Sequence, residues 1–150
     1  MLGRYYGNKE QLFAVAARID LRLPNLAHVA PDIVGKLLAS HFVSRWEGEG
    51  GDGQLQALLR ASVSHETARL KITEIFDEQV KMAVGSVKGI DQPATRAAMI
   101  ASQLLGIAFG RHIVCLPSLT ALEARDLIDW IGNTIQSYLD CPLANPTENP

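Results

Sequence analysis

The stretch AAMIASQLLGIAFG, residues 97–110, decides the fold class of this sequence. It carries no charged residue, and its spacing predicts a helix with apolar side chains in nearly every direction around the axis. A helix that is apolar all round is buried on all sides, so this one needs neighbours on every face. The predicted helix extends from Pro93 to about Cys115, and its uncharged run is too short to cross a bilayer.

Helical periodicity continues on both sides of this stretch, and no strand-turn-strand pattern interrupts it. The other predicted helices run from just after Asn8 to about Arg22, from Pro31 to Glu47, from Gln54 to about Ser64, from Glu66 to Lys88, and from Ala121 to about Leu139. The sequence therefore predicts an all-α fold of about six helices.

Turn and cap residues separate the predicted helices. GEGGDG, residues 48–53, breaks the chain, and Gly89 is predicted to close the preceding helix in the left-handed conformation. Thr120 and Glu123 have the spacing of a capping box, which predicts the start of the last helix. The tail CPLANPTENP, residues 141–150, has three prolines and is predicted to be disordered.

Composition and motifs favour one globular domain that has neither a catalytic site nor a metal site. The 150 residues are 47% hydrophobic and 20% charged, with a net charge of −2, so the body of the chain is a poor candidate for nucleic-acid binding. Four scattered histidines give no metal-ligand spacing, and neither a nucleophile elbow nor a phosphate loop occurs. We therefore predict no enzyme, no catalytic residue, no metal and no cofactor.

The two cysteines and the amino-terminal residues bear on the compartment. Cys115 lies in an apolar run and is predicted to be a buried, inert thiol, and Cys141 forms no redox pair with it. The first apolar stretch is amphipathic and charged, unlike a signal peptide. These features favour a reducing cytoplasm and no membrane.

The last two predicted helices carry surfaces that favour a partner chain. Small residues recur at intervals of four from Ala94 to Gly110, a row that lets another backbone approach closely. On the last helix, Trp130 lies roughly 120° away from the main apolar stripe, at about 100° per residue. We predict a homodimer in which these two helices pair with those of a second copy in a four-helix interface. The predicted interface residues are Ala98, Ser102, Gly106, Gly110, Leu127, Trp130, Ile131 and Ile135. Tight packing within one chain is the alternative.

Two stretches resemble the TetR family of transcription regulators. YYGNKEQLF, residues 5–13, is similar to the junction between the recognition helix and the long helix that follows the family's DNA-binding domain. Residues 101–122 (ASQLLGIAFGRHIVCLPSLTAL) and 130–139 (WIGNTIQSYL) are similar to the last two helices of one branch of the family. The resemblance implies a remnant of the helix-turn-helix domain in residues 1–7 and an effector-binding and dimerisation domain in residues 8–140.

The resemblance also implies contacts with DNA and with an effector. Tyr5, Tyr6 and Lys9 would contact DNA phosphates, although the two tyrosines also suit packing against neighbouring helices. An apolar pocket among the middle helices would bind a small apolar or amphipathic molecule. Its candidate residues are Leu38, His41, Phe42, Trp46, Leu59, His65, Phe76, Val80, Phe109 and His112, with plain core as the alternative for each aromatic residue.

The sequence thus predicts a ligand-responsive transcription regulator, a repressor that lacks most of its DNA-binding domain in this chain. Operator DNA would be a partner only if an upstream helix-turn-helix exists, because a recognition helix needs its supporting helix. The alternative is a stand-alone dimeric module that binds a small molecule or a sister regulator and does not bind DNA.

Overall fold

The structure, a computed structural model, describes residues 21–47 and 53–143, and that part of the chain contains helices and turns but no strand. The elements are a 3-10 turn Pro31–Ile33, α1 Val34–Trp46, α2 Gln54–Ser62, α3 Glu66–Glu74, a π-helical segment Ile75–Val80, α4 Lys81–Gly85, α5 Pro93–His112, α6 Pro117–Thr120 and α7 Ala124–Asp140. The predicted all-α class is confirmed. The first predicted helix lies outside the described residues, apart from its last two positions, which are not helical.

Helices α1 and α7 cross with their backbones in close contact. A Cβ atom added to Gly35 would lie 2.5 Å from the carbonyl oxygen of Gly132. The amide of Gly35, one of the donors that a helix start leaves without an intrahelical partner, donates to Oε1 of Gln136 at 2.8 Å. The Gln136 side chain in turn donates through Nε2 to the carbonyl of Pro31 at 2.8 Å, so α7 caps the start of α1.

The core extends from this crossed pair across α5 to α2, α3, the π-helical segment and α4. The inner face of α5 contributes Ala97, Ile100 and Leu104, all almost inaccessible to solvent. The predicted helix 66–88 is helical as far as Gly85, but its middle is π-helical from Ile75 to Val80. Gly89 has the predicted left-handed φ of 78°, although it lies beyond the end of the helix rather than at its cap.

A buried arginine, which the sequence did not single out, closes the far end of α7. Arg96 on α5 is 4% exposed, and its guanidinium donates to the carbonyls of Tyr138 and Cys141 at 2.8 and 2.7 Å. It also pairs with the carboxylate of Asp91 at 2.8 Å. The last carbonyls of a helix have no intrahelical donor, so Arg96 satisfies groups that would otherwise compete for water.

The connection between α5 and α7 differs from the prediction. Helix α5 ends at His112 rather than at Cys115, and Thr120 ends the short helix α6, which begins at Pro117. The predicted capping box is therefore wrong: Glu123 is the N-cap residue of α7, without a side-chain hydrogen bond. The physical reason is Pro117, which suits the first turn of a helix and starts α6 before Thr120 is reached.

Cys115 is exposed, so the prediction of a buried thiol is wrong. Its φ is 56°, in a turn that follows the helix, whereas Leu119 folds back onto α5 and approaches the Cα of Gly110. The apolar run around Cys115 is thus split, with Val114 and Leu116 about half exposed. An apolar run predicts burial only where the helix continues through it.

Candidate functional site

Most of the predicted pocket residues lie in the hydrophobic core. The rings of Phe42 and Phe76 lie 5.5 Å apart, centroid to centroid, across the space between α1 and the π-helical segment. These residues belong to the hydrophobic core: Leu38, Phe42, Leu59, Phe76 and Val80. Each of these five residues is at most 5% exposed, and their role as ligand contacts stays a prediction.

Three other candidates lie apart from this cluster. His41 donates through Nε2 to the carbonyl of Leu21 and so anchors the segment that precedes α1. His65 is exposed at the N-cap position of α3, where its side chain makes no capping bond. Phe109 is 36% exposed on α5. These residues do not converge on one site.

Trp46 and His112 are the two remaining predicted pocket residues. Among the described residues, they are the candidates in which an aromatic side chain contacts a polar ring. Trp46 is the last residue of α1 and His112 the last of α5, and their rings stack at 6.1 Å with an angle of 20°. Because two helices end at this point, the pair lies at one end of the helical body. The 65 residues between them explain why no local pattern in the sequence could reveal the contact.

The charged groups around this pair are bonded to each other. The guanidinium of Arg111 donates to Oε1 of Glu47 at 2.7 Å. Its Nη1 donates to the carbonyls of Leu119 and Leu122 at 2.7 and 2.9 Å, which ties the segment before α7 to α5. Arg96 and Arg111 directly precede and follow the uncharged run 97–110. This placement is the one feature of the sequence that could have indicated their structural roles.

His112 is predominantly uncharged at neutral pH. Burial of the imidazole lowers the pKa of His112 below 6.5, and the positive charges of Arg111 and Arg60 lower it further. The carboxylate of Glu47 opposes this shift, but its Oε1 is 3.9 Å from Nε2 of His112. The stacked ring is therefore a neutral group with one donor and one acceptor nitrogen.

A small space lies between α1, α5 and α7 next to this pair. Its volume is about 10 Å³, and the residues that line it are Phe42, Val43, Trp46, Glu47, Leu104, Ile107, Ala108, Arg111, His112, Leu127 and Ile131. Nε1 of Trp46 is buried and has no hydrogen-bond partner within residues 21–47 and 53–143. A buried donor without a partner costs about 1–3 kcal/mol, so this N–H is the least satisfied polar group of the site.

A second concave surface, of about 510 Å³, is an open groove between α1 and α7. Lys36 and Asp129 form an exposed ion pair at 3.5 Å on its rim, and Ile33 in its wall is 52% exposed. Both pair members remain mostly in solvent, so the ion pair contributes little to stability. The groove is open to solvent, whereas the much smaller space at Trp46 is more enclosed.

The predicted dimer residues divide into two groups. Ala98, Ser102, Gly106 and Trp130 are exposed, and 71% of the surface of Trp130 is accessible to solvent. Within the described chain, a Cβ atom added to Gly106 would meet nothing within 4 Å. Gly110, Leu127, Ile131 and Ile135 are instead buried inside the single chain, so their side chains and Cα hydrogens face their own core.

Several expectations concern what is absent or lies elsewhere. Among the described residues, no group of three or more His, Cys, Asp or Glu side chains is placed to hold a metal ion. The same residues include no helix with the length and apolarity that crossing a bilayer requires. Tyr5, Tyr6, Lys9 and residues 144–150 lie outside the described part of the chain.

A family model for the tetracyclin repressor-like, C-terminal domain matches residues 32–139. The chain belongs to this family. No curated protein and no solved structure matches the chain. Domains of the tetracyclin repressor-like family generally dimerise and bind small-molecule effectors, and they are typically non-enzymatic. The resemblance seen in residues 101–122 and 130–139 is confirmed, because both stretches fall within the match.

Proposed function

We propose that this chain is the effector-binding and dimerisation part of a ligand-responsive transcription regulator. It acts in the cytoplasm as a homodimer and represses transcription until a small apolar or amphipathic molecule binds. The family match over residues 32–139 supports a regulator of this type. If a helix-turn-helix precedes this chain, Tyr5, Tyr6 and Lys9 are the proposed phosphate contacts in its complex with operator DNA.

The exposed outer face of α5, together with Trp130 of α7, is the observation that carries the dimer. Met99, Phe109 and Trp130 are 46%, 36% and 71% exposed, respectively. Large apolar side chains on one surface mark an interaction site, and we propose that these three form such a surface in the dimer. The open space above Gly106 leaves room for a second backbone against α5.

Helix α5 links the two proposed sites. Its inner face and last residue contribute to the space at Trp46, and its outer face would contact the second copy. An effector that enlarges that space must move α5 relative to α1. Because α5 also lies in the dimer interface, such a movement changes how the two copies are oriented.

The experiment that tests the proposal compares two methionine variants by sedimentation velocity. The unmodified chain is expected to sediment as a dimer of twice 16.3 kDa. Met99→Glu buries a charge in the proposed interface and is expected to yield monomer. Met82→Glu is the matched control, because Met82 is 77% exposed on α4.

The two variants separate the possible results. A dimer for Met82→Glu and a monomer for Met99→Glu support the proposal. A monomeric unmodified chain at high concentration, or a dimer that Met99→Glu leaves intact, overturns the assignment of this face.

A further inference from the structure

We propose that the space beside Trp46 recognises an uncharged, mainly apolar molecule through a carbonyl-type oxygen, which accepts a hydrogen bond from Nε1 of Trp46. The inference rests on the proposed function, since it takes the chain to bind an effector. It adds the chemical class of that effector and the residue that selects it.

The buried indole N–H of Trp46 indicates that a ligand must accept a hydrogen bond. Trp46 is only 5% exposed, and Nε1 has no partner in the part of the chain that the structure describes. The backbone carbonyl of the same residue, in contrast, accepts from Nε2 of Gln56 at 2.6 Å. An indole nitrogen only donates, so the missing partner is an acceptor.

The residues that line the space determine that most of the ligand is apolar. Most of the lining is apolar, and Phe42, Leu104 and Leu127 show its character. Apolar walls with one precisely placed polar group are typical of sites that bind small apolar molecules in a fixed orientation.

The charges determine that the ligand is neutral. Arg111 already donates to Glu47 and to two backbone carbonyls, so no free cation remains on it for an anionic ligand. Glu47 is neutralised by the same bond, which leaves no free carboxylate for an amine. His112 is uncharged at neutral pH. A buried ion without a counter-charge is strongly unfavourable, and a neutral oxygen acceptor avoids this cost.

The size of the space implies a movement on binding. About 10 Å³ holds no more than a single water molecule, so a larger ligand must enlarge the space. His112 is the residue best placed to move, because α5 ends there and its ring is held by stacking on Trp46. Displacement of this ring would open the side of the space at which α1 and α5 end.

The experiment follows the indole N–H signals of the full chain by ¹⁵N-edited NMR. The chain has two tryptophans, and Trp130→Phe assigns the two signals. Three probes of one size are titrated: cyclohexanone, its isostere methylenecyclohexane, and cyclohexylammonium. Trp46→Phe, which removes the indole N–H from the site, is the control for non-specific effects.

We expect cyclohexanone to bind about tenfold more tightly than methylenecyclohexane, the usual difference for one added hydrogen bond. It should shift the Trp46 signal downfield. Trp46→Phe keeps an aromatic ring without the N–H, so in this variant the two neutral probes should bind equally. If this variant does not fold, the shift of Trp46 in the unmodified chain still decides the question.

Three results would overturn the inference. Equal binding of the two neutral probes with an unmoved Trp46 signal removes the hydrogen bond but leaves the chain a ligand-binding protein, as the proposed function requires. Preference for cyclohexylammonium refutes the neutral class. Binding of none of the probes counts against both the inference and the effector-binding part of the proposed function.

Discussion

Two glycine-containing surfaces of this fold differ in what lies against them. At the crossing of α1 and α7, a Cβ atom on Gly35 would come within 2.5 Å of the backbone, and one on Gly132 would come within 3.0 Å. On the outer face of α5, a Cβ atom on Gly106 would meet nothing within 4 Å. The first surface is filled by its own chain, whereas the second is open.

The difference shows that a glycine on a helix surface indicates where another backbone can approach closely. It does not indicate whether that backbone belongs to the same chain or to a second one. Gly35 and Gly132 meet each other's helices, and Gly110, four residues after Gly106, is covered by Leu119 of the same chain. Gly106 is a helical glycine with no such neighbour in the described chain. We attribute its open space to a second copy, and this makes the comparison testable.

The largest expected effect comes from filling the closed surface. Gly35→Ala forces α1 and α7 apart, because the atoms around the new methyl group are largely backbone and cannot yield. We expect the free energy of unfolding to fall by about 3 kcal/mol, measured by urea denaturation. Gly85→Ala is the matched control, since its Cβ would only touch Pro93 at 4.0 Å. The control is expected to be neutral or to gain up to about 1 kcal/mol. Similar losses in both variants would refute the tight crossing.

A smaller loss is expected where the closed surface ends. Arg96→Met leaves the carbonyls of Tyr138 and Cys141 without their donor. We expect a loss of about 2 kcal/mol in the free energy of unfolding, because these groups are partly buried. Arg125→Met is the control, because Arg125 forms an exposed ion pair with Glu123 at the surface. If the two variants are equally stable, Arg96 does not hold the end of α7.

The smallest effect is the pH dependence that His112 contributes. Burial lowers the pKa of His112 in the folded protein, so below about pH 6.5 the unfolded chain binds more protons than the folded one. Stability is therefore complete above this pH and falls as the pH decreases from 6.5 towards the lowered pKa.

The measurement compares the unmodified chain with His112→Gln by urea denaturation at about pH 7.5 and about pH 5.5. The unmodified chain should lose more stability on acidification than the variant does. An identical pH dependence in the two proteins would show that His112 titrates as it does in the unfolded chain.

The sequence allowed the helices to be predicted but not their ends. Apolar residues at helical spacing predicted five helical regions that the structure contains. The prediction works because residues at this spacing lie on one face of a helix and can be buried together. The end of α5 and the start of α7 were wrong because Pro117 starts an additional turn. The spacing of apolar residues did not predict the π-helical segment Ile75–Val80. Phe76 of this segment is buried in the core.

The candidate site was predictable only in its residue types. Trp46 and His112 were both named as ligand contacts, but their stacking depends on where two distant helices end. His41 and His65 have equally suitable side chains, and the fold directs them to other places. Long-range contacts of this kind are set by the packing of whole helices, which local patterns do not encode.

The central claim is that the open face of α5 belongs to a dimer interface, and Gly106→Leu tests it most directly. The leucine has free space in the single chain and favours the helix, so the variant should fold with unchanged helical content by circular dichroism. In a dimer, the same side chain overfills the approach of the second backbone. Sedimentation velocity should therefore show loss of the dimer, while Gly85→Leu remains dimeric. A well-folded Gly106→Leu dimer would contradict the account, because the second copy would then lie elsewhere.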